Sequence, residues 1–390
     1  MNEKTYIYSI ARTPIGSFNG SLKSITAPRL GAVVIKSILE KSNISNDEVD
    51  EVIMGNVLST GVGQAPARQA SIYAGLSYST NCMTVNKVCG SGLKSIMLAD
   101  QSIRLGDSKV IIAGGMENMS QAPHYLLNSR LGVTYGDAKF KDSIINDGLY
   151  DPYNEILMGG CAEILNDEEK ITREVQDNFA INSYKRSNLA IKNGFFKNEI
   201  IPVEVKSKKG STLVEIDEEP LKFNEKKILG LKPVFKKNGS ITAANASSIN
   251  DGAAAVLLGS KNINTSLKPI AKIIAHTSFA MEPVYFTKAP IFAIQKLIKK
   301  SGVMIEDIDL FEINEAFSCV TLAAIEKLKI DEGKVNIHGG AVSLGHPIGA
   351  SGARVLVTLL NALQLNKKRY GIACLCIGGG EASAMLVEMI

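Results

Sequence analysis

The fold is decided by a segment that occurs twice in the 390-residue chain. It reads Lys36-Ser37-Ile38-Leu39-Glu40-Lys41-Ser42 followed by Asp47-Glu48-Val49-Asp50-Glu51-Val52-Ile53-Met54-Gly55, and again Gln295-Lys296-Leu297-Ile298-Lys299-Lys300-Ser301 followed by Glu306-Asp307-Ile308-Asp309-Leu310-Phe311-Glu312-Ile313-Asn314. The copies are 259 positions apart at both ends. Each contains apolar residues at helical spacing, a polar turn and an apolar strand. This duplication predicts two α/β halves of common ancestry.

The repeat continues into two glycine-rich turns. Ser91-Gly92-Leu93-Lys94 matches Ser351-Gly352-Ala353-Arg354 at an offset of 260, and residues 110–117 match residues 374–381 at an offset of 264. The strands expected at 110–113 and 372–377 are apolar throughout, which predicts helices on both faces of each sheet.

The repeat also predicts the domain organisation. The first half is expected to comprise residues 1–120 and 246–269, and the second half residues 270–390. Residues 121–245 are richer in Tyr, Asn, Asp and Lys, and we expect an inserted loop domain there. Its clearest element is a helix from Thr172 to about Lys192, with Thr172 as the N-cap. Because long excursions on α/β scaffolds usually build ligand pockets, we expect binding in this insertion.

Composition excludes several classes of protein. The net charge is only +4 and the lysines are dispersed, which argues against a nucleic-acid-binding groove. The six cysteines have neither a disulfide-framework spacing nor a Cys-x2-Cys zinc spacing. No uninterrupted apolar run reaches about 18 residues, so no membrane association is expected. The start of the chain has neither signal-peptide nor transit-peptide character, which favours the cytoplasm.

The chemistry is predicted to centre on Val88-Cys89-Gly90-Ser91-Gly92-Leu93-Lys94. A β-prone segment precedes it and a helical pattern follows, which places Cys89 at or near a helix N-terminus. Unpaired N–H groups and the helix dipole favour a thiolate there, so we expect a lowered pKa for Cys89 and a nucleophilic sulfur. Gly90 and Gly92 allow a ligand or another backbone to approach closely. By itself such a cysteine is more often a core residue.

A histidine lies close to the equivalent turn of the second half. In Gly345-His346-Pro347-Ile348-Gly349, His346 precedes by three residues the position equivalent to Cys89. If the two turns meet, His346 could accept the proton of the Cys89 thiol. The alternative is a turn or helix-cap residue. His338 is predicted to be structural.

Two further segments follow strands of the second half. In Cys374-Leu375-Cys376-Ile377-Gly378-Gly379-Gly380-Glu381, strand alternation puts Cys374 and Cys376 on one face. Cys376 is predicted to be a second acid/base and Cys374 a core residue; a redox pair is the remaining alternative. The glycine N–H groups could stabilise an oxyanion. In Asn314-Glu315-Ala316-Phe317, Asn314 could hold a water or donate to an oxygen.

These four motifs, in this order, resemble those of the thiolase family over nearly the whole chain. The branch they most resemble is the acetoacetyl-CoA thiolases, or acetyl-CoA C-acetyltransferases. The resemblance implies the thiolase fold, in which duplicated βαβαβαββ halves form five αβαβα layers with an inserted loop domain. It also implies Claisen condensation of two acetyl-CoA to acetoacetyl-CoA and CoA, and the reverse thiolysis.

The resemblance implies a role for each motif residue. Cys89 would carry the acetyl group, His346 would activate its sulfur, and Cys376 would remove the α-proton of the second acetyl-CoA. One oxyanion hole would combine His346 with a water held by Asn314, and the other would use the N–H groups of Cys89 and Gly378. A positioned base and fixed donors are what an enolate next to a thioester requires.

The resemblance also implies binding residues. CoA would contact Met158, Lys222, Phe235, Ser247 and Phe317, with Leu157 and Phe286 nearer the acyl group; potassium would bind Tyr184, Ala243, Ala244, Ala246 and Val342. No tightly bound cofactor is expected, because the CoA thioesters are substrates. The family further implies a homo-oligomer, a dimer of dimers.

One residue departs from the family pattern. Leu157 stands where acetoacetyl-CoA-specific relatives usually have histidine, so a degradative 3-ketoacyl-CoA thiolase acting on longer or branched chains is the main alternative. Ketoacyl synthases and hydroxymethylglutaryl-CoA synthases share the fold, but they use Cys-His-His or Cys-His-Glu sets rather than a second cysteine. A non-catalytic CoA- or lipid-binding relative is a more remote alternative. Such a protein should lack one of the reactive groups, whereas this chain has all of them.

Overall fold

The structure, a computed structural model, describes residues 4–208 and 210–390. The strands in these residues are β1 Tyr6–Arg12, β2 Gly16–Ser17, β3 Glu51–Gly55, β4 Asn81–Val85, β5 Val110–Asn118, β6 His124–Leu126, β7 Phe140–Asp142, β8 Tyr150–Asp151, β9 Ile156–Leu157, β10 Val203–Ser207, β11 Gly210–Val214, β12 Asn250–Gly259, β13 Ala271–Ala280, β14 Leu310–Ile313, β15 Tyr370–Ile377 and β16 Glu381–Met389. The α-helices are α1 Ala27–Ser42, α2 Pro66–Tyr73, α3 Ser91–Leu105, α4 Met158–Glu169, α5 Arg173–Asn193, α6 Glu225–Leu229, α7 Ala289–Ser301, α8 Ser318–Leu328, α9 Ala341–Leu344 and α10 Ile348–Leu365.

The two halves form one mixed sheet. Its order is β14-β15-β16-β13-β1-β12-β5-β3-β4, and β2 pairs with β12. The halves join where β1 meets β13, and this junction consists of only two residue pairs, Tyr6 with Lys272 and Ile7 with Ala271. Since so few pairs connect the halves, each half keeps its own part of the sheet and its own helices.

The duplication predicted from the sequence is visible in strand pairing. In the first half β3 and β5 are parallel and β5 and β12 antiparallel. In the second half β14 and β15 are parallel and β15 and β16 antiparallel. Within residues 246–269, which were assigned to the first half, β12 pairs with β1 and β5 and so completes that half.

The five layers are confirmed by which side chains pack together. One buried cluster lies between the halves and combines α3 and α10 with strands of both, for example Ile111 of β5 and Leu375 of β15. A second cluster packs α1 and α2 on the opposite face of the first half. A third packs α7 and α8 on the outer face of the second half. The order of layers is therefore helix, sheet, helix, sheet, helix.

The central helices α3 and α10 touch through their backbones. A Cβ added to Gly352 would lie 2.3 Å from the backbone nitrogen of Leu93, and one added to Gly92 would lie 2.7 Å from that of Ala353. Gly92 and Gly352 are equivalent positions of the repeat. Because neither has a side chain, the first turns of both helices can meet, and this contact brings together the two segments that precede them.

The insertion is held to the scaffold by buried charge. Arg12 at the end of β1 forms a bidentate pair with Asp217 at 2.7 and 2.9 Å and contacts Glu199 at 2.5 Å. All three side chains are fully buried. The predicted long helix is α5, and Thr172 caps it by accepting the N–H of Val175.

In the described part of the chain, one helix is long and apolar enough to cross a membrane. This helix is α10, and 89% of the apolar window lies inside the protein. Polar residues interrupt its apolar sequence, so α10 contains no long uninterrupted apolar run. A buried core helix meets the same length and composition criteria, so the feature is weak evidence for a membrane span.

Candidate active site

Three of the five predicted catalytic residues, Cys89, His346 and Gly378, line one apolar cavity of about 270 Å³, whereas Cys376 and Asn314 are buried and do not line it. The insertion and both halves contribute to its walls, which are formed by Cys89, Met119, Ile145, Gly148, Leu149, Leu157, Met158, Gly159, Phe235, Ala246, Ser247, Ser248, Ile249, Phe286, Ala316, Phe317, His346, Ile348 and Gly378. Cys89 comes from the first half, and His346 and Gly378 come from the second. The convergence expected from the duplication is therefore observed for these three residues.

Cys89 lies in a strained turn just before α3. Val88 has φ of 45°, a left-handed conformation that is costly for a β-branched residue. Two bonds maintain the turn: the N–H of Lys87 donates to Ser91 Oγ at 2.8 Å, and Ser91 Oγ donates to Val88 O at 2.6 Å. Strain at one position, compensated by neighbouring hydrogen bonds, is common where a nucleophile must be presented to a ligand.

The predicted lowering of the Cys89 pKa is wrong. Burial raises the pKa of the thiol to about 11, and the charge of Glu117 acts in the same direction. Hydrogen bonds from the N–H groups of Gly378 and of Cys89 itself oppose this increase without overcoming it. Desolvation outweighs the helix N-terminus because the sulfur lies inside an apolar cavity. Cys89 is therefore a protonated thiol at neutral pH, and it needs a base.

His346 is suited to be that base. Its ring is buried, and burial lowers its pKa to about 3, with the charge of Arg354 as a second cause. The imidazole is therefore neutral at physiological pH. Its Nε2 atom has no hydrogen-bond partner among the described residues. A neutral ring with an unpartnered nitrogen on the cavity can accept a proton from a ligand or from sulfur.

The backbone at His346 is held from the first half. Its N–H donates to Asn250 Oδ1 at 3.0 Å and to Ser248 O at 3.2 Å. Gly345 has φ of 100°, and a Cβ there would lie 2.4 Å from Asn250. Only glycine fits this approach, so the turn that carries His346 depends on Gly345.

Cys376 and Gly378 lie at the end of β15, directly beside the Cys89 turn. A Cβ on Gly90 would lie 2.3 Å from Ile377 Cδ1, so the turn packs against the strand end. Cys376 is fully buried, and its pKa is raised well above the ordinary value by burial and then by the charge of Cys89. A negative charge on Cys89 would therefore disfavour ionisation of Cys376. A Cys376 thiolate, once formed, would be a strong base.

Asn314 is the most conspicuous unpaired group near the site. It follows β14, and its N–H donates to Cys374 O at 2.9 Å. Both side-chain atoms, Oδ1 and Nδ2, are buried and make no hydrogen bond within the described ranges. A buried amide with neither atom paired is costly, and the predicted water or a substrate oxygen would satisfy it.

Three aromatic rings form one wall of the cavity. Phe317 makes edge contacts with Phe235 at 6.2 Å and with Phe286 at 6.5 Å between ring centroids. Phe235 also lies against the backbone of Gly159, where a Cβ would come within 2.3 Å. The wall is apolar and continuous, as a long and mostly uncharged ligand arm requires.

Some of the other residues predicted to bind CoA or potassium line the cavity, and others lie outside it. Leu157, Met158 and Ser247 line the cavity, whereas Lys222 does not and instead pairs with Glu219 at 2.9 Å. Tyr184, from the predicted potassium set, stacks on Phe223 at 5.4 Å and packs near Ala244. Burial and the nearby charges of Glu219 and Glu315 raise the Tyr184 pKa to about 12.

Glu117 is a buried residue to which the sequence analysis assigned no role. Its carboxylate accepts N–H groups from Asn56 Nδ2, Val57, Leu58 and Gly349. It thus links β5 and a first-half loop to the start of α10. Burial raises its pKa to about 7 against the effect of these bonds. Its position at the end of an apolar strand in the repeat was the only sequence signal for it.

Models of a known protein family match both halves of the chain. Residues 5–262 match the model of the thiolase N-terminal domain, and residues 267–389 match that of the thiolase C-terminal domain. The fold and its duplicated halves agree with these two matches. The chain belongs to the thiolase family.

Two relatives that match nearly the whole chain are both named acetyl-CoA acetyltransferases. An acetyl-CoA acetyltransferase of Yarrowia lipolytica is 51% identical over 99% of this chain and 96% of its own length. A mitochondrial acetyl-CoA acetyltransferase of Bos taurus is 51% identical over 98% of this chain and 91% of its own length.

Two solved structures cover all of this chain and all of their own length. One is an acetyl-CoA acetyltransferase of Bacillus anthracis, with a TM-score of 0.97 and 37% identity. The other is the Acat5 thiolase of Ascaris suum in complex with coenzyme A, with a TM-score of 0.93 and 43% identity.

Proposed function

We propose that this thiolase is an acetyl-CoA C-acetyltransferase, which condenses two acetyl-CoA to acetoacetyl-CoA and CoA and catalyses the reverse thiolysis. The observation that carries the proposal is the meeting of Cys89 and His346 on one apolar cavity, with Cys376 buried at the end of the strand that packs against the Cys89 turn. Relatives with this name at about half identity over nearly the whole chain support the choice of substrate.

The first half-reaction transfers an acetyl group to Cys89. His346 Nε2 takes the thiol proton as the sulfur attacks the thioester carbonyl. Because burial raises the pKa of Cys89 and lowers that of His346, a thiolate–imidazolium pair is disfavoured at rest, and we expect proton transfer to accompany the attack. The N–H groups of Cys89 and Gly378 stabilise the oxyanion. Collapse breaks the carbon–sulfur bond to CoA, and the CoA thiolate leaves with the proton of Cys376.

The second half-reaction forms the carbon–carbon bond. The Cys376 thiolate takes an α-proton from the second acetyl-CoA, while the His346 imidazolium and a water held by Asn314 donate to the enolate oxygen. The carbanion attacks acetyl-Cys89 and expels the Cys89 thiolate, which recovers its proton from His346. All three groups return to their starting protonation states. The positive ring and the negative sulfur exist together, so each lowers the cost of the other's charge in a buried site.

The test is thiolysis of acetoacetyl-CoA by CoA, followed through the loss of enolate absorbance. We expect decay with the wild-type protein and a large loss with Cys89→Ser, since an alcohol is a much weaker nucleophile than a thiol at neutral pH. A Cys82→Ser variant is the matched control, because Cys82 is a partly buried free thiol on the edge strand β4, outside the cavity. No decay in the wild type would refute the proposal.

A second candidate is a thiolase for longer or branched 3-oxoacyl-CoA, and Leu157 favours it. The side chain of Leu157 is 38% exposed and lines the cavity beside Ile145 and Leu149. An apolar wall there binds methylene groups better than a histidine would. Rates with four-, six- and eight-carbon 3-oxoacyl-CoA would separate the candidates, and Leu157→His should reduce the rates with longer chains selectively.

We also propose that Lys222 contacts CoA outside the cavity and that a potassium ion binds near Tyr184. Lys222 would give a point charge near the nucleotide, without the planar stacking of arginine. The Tyr184 hydroxyl and the carbonyls of Ala243, Ala244, Ala246 and Val342 suit a monovalent cation, and the nearby carboxyls of Glu219 and Glu315 support this. When bound, potassium would order the loop that carries Ser247. Replacing potassium by sodium should raise the KM for acetyl-CoA, and Tyr184→Phe should remove that difference.

Assembly and compartment are further parts of the proposal. A dimer of dimers is supported by large apolar side chains exposed in the insertion, such as Leu131 and Tyr135, which are 84% and 99% exposed. Sedimentation should therefore give a tetramer mass rather than that of a 41.8 kDa monomer. A cytoplasmic location is supported by six free cysteines. Fractionation of the native cell would test it, since one relative is named mitochondrial.

A further inference from the structure

The second ring nitrogen of His346 has a partner that the proposed mechanism leaves unused. Nδ1 lies 2.5 Å from Ser351 Oγ, and both residues are buried. The same Oγ lies 2.9 Å from Pro347 O. A serine hydroxyl has one proton to donate and lone pairs with which to accept. The direction of its single O–H bond therefore determines which nitrogen of His346 carries the proton.

The two contacts of Ser351 favour one arrangement. A carbonyl oxygen can only accept, so the contact with Pro347 O requires Ser351 to donate there. The short contact with His346 then requires Nδ1 to be the donor, which leaves a lone pair on Nε2. The opposite arrangement would place a proton on Nε2, where no described residue accepts it. A buried N–H without an acceptor is rare in proteins.

The duplicated half has a serine at the equivalent position, and it also donates to a carbonyl about one turn earlier. Ser91 is the equivalent of Ser351; its Oγ donates to Val88 O at 2.6 Å and accepts the Lys87 N–H at 2.8 Å. The position equivalent to Lys87 is Pro347, which has no N–H. The accepting side of Ser351 is therefore open in the second half, and the Nδ1–H of His346 occupies it.

We propose that Ser351 is a positioning residue that keeps one proton on Nδ1 of His346. All proton exchange with sulfur and substrate then takes place at Nε2, the nitrogen left unpaired at the cavity. The inference rests on the proposed function, because it concerns the base of that reaction. It also explains how one ring serves as base and then as donor: Nε2 gains and loses a proton while Nδ1 stays protonated.

The experiment is ¹⁵N NMR of the whole enzyme labelled at histidine. The chain has only four histidines, and the signals of His346 are identified by their loss in His346→Ala. We expect a protonated Nδ1 and an unprotonated Nε2 in the wild type at neutral pH. In Ser351→Ala the Nδ1–H loses its acceptor, so the Nε2–H form should appear and kcat should fall by about 10- to 100-fold.

Two variants separate positioning from folding. Ser351→Thr keeps a hydroxyl at the same position and should restore the tautomer and most of kcat. Ser42→Ala is the matched control, because Ser42 is a buried helical serine whose Oγ donates to Ile38 O at 2.7 Å, the carbonyl four residues earlier, far from any histidine. It should lose a little stability and leave kcat and the His346 signals unchanged.

The outcomes are decisive in both directions. A proton on Nε2 of the resting wild-type enzyme would overturn the proposal, and this result does not depend on whether Ser351→Ala folds. An unchanged tautomer in a folded Ser351→Ala would overturn it as well. Failure of the wild type to cleave acetoacetyl-CoA would instead refute the proposed function, and it would leave the tautomer measurement intact.

Discussion

The backbone contact between α3 and α10 makes a quantitative prediction for Gly352→Ala. The new Cβ would lie 2.3 Å from the backbone nitrogen of Leu93 and 2.9 Å from its Cβ, whereas ordinary contact begins near 3.4 Å. The helices must separate by about 1 Å. Overpacking of this kind costs about 1–3 kcal/mol, and the better helix propensity of alanine returns up to about 1 kcal/mol. The expected net loss of stability is about 1–2 kcal/mol.

Activity should suffer more than stability. The start of α10 carries the His346 turn and the start of α3 carries Cys89, so a 1 Å separation displaces the base from the nucleophile; such a displacement can cost about 10²-fold in rate. Thermal unfolding and acetoacetyl-CoA thiolysis measure the two effects. Gly230→Ala is the control, because its added Cβ meets nothing closer than 3.7 Å. If Gly352→Ala kept both the wild-type melting temperature and kcat, the backbone contact would be refuted.

Three further predictions concern the site and the scaffold. The rate of Cys89 alkylation by iodoacetamide should rise about tenfold per pH unit from pH 7 to pH 10, because a thiol of pKa about 11 gains thiolate throughout that range; a plateau near pH 7 would contradict the raised pKa. Cys376→Ser should slow condensation by about 10²–10⁴-fold and slow exchange of labelled CoA into acetyl-CoA less, because in the exchange Cys376 only protonates CoA; an undiminished rate of condensation would mean that Cys376 is not the α-proton base. Arg12→Met should destabilise the protein by about 3–5 kcal/mol in urea unfolding, because Glu199 and Asp217 are left buried and unpaired; adding Asp217→Asn should recover part of that loss, and no recovery would argue against the pairing.

The sequence predicted well whatever depends on local pattern or on the repeat. The strands at 110–113 and 372–377, the capped helix α5 and the positions of Cys89 and His346 near matched turns could be predicted from the sequence pattern and the repeat. The Cys89 pKa could not be obtained in this way. A helix N-terminus is a local feature, whereas desolvation of the sulfur depends on an insertion whose Leu149 and Met158 close over the cavity. Local pattern therefore suggested a thiolate where tertiary burial produces a thiol.

Ser351 illustrates a second limit of prediction from sequence, which concerns side-chain contacts. The repeat pairs it with Ser91, but its role depends on a contact with His346 five residues earlier, and a sequence does not show where a side chain points. Lys222 is the opposite case, since its type suits a phosphate but the structure pairs it with Glu219. What a sequence shows is which residues are available, and the fold determines which of them meet.

Duplication explains why the two halves can divide the chemistry between them. Equivalent positions of the two turns hold different residues: Cys89 corresponds to Gly349, and Lys87 corresponds to Pro347. The second copy could not hold a cysteine at position 349, because a Cβ there would lie 2.6 Å from Glu117 Oε2 and 2.7 Å from Met116 O. Gly92 and Gly352 are glycine in both copies, and the helix contact needs both, whereas other matched positions of the two turns hold different residues. The shared backbone thus accounts for the convergence of the site, and divergence at the matched turns accounts for its reactivity.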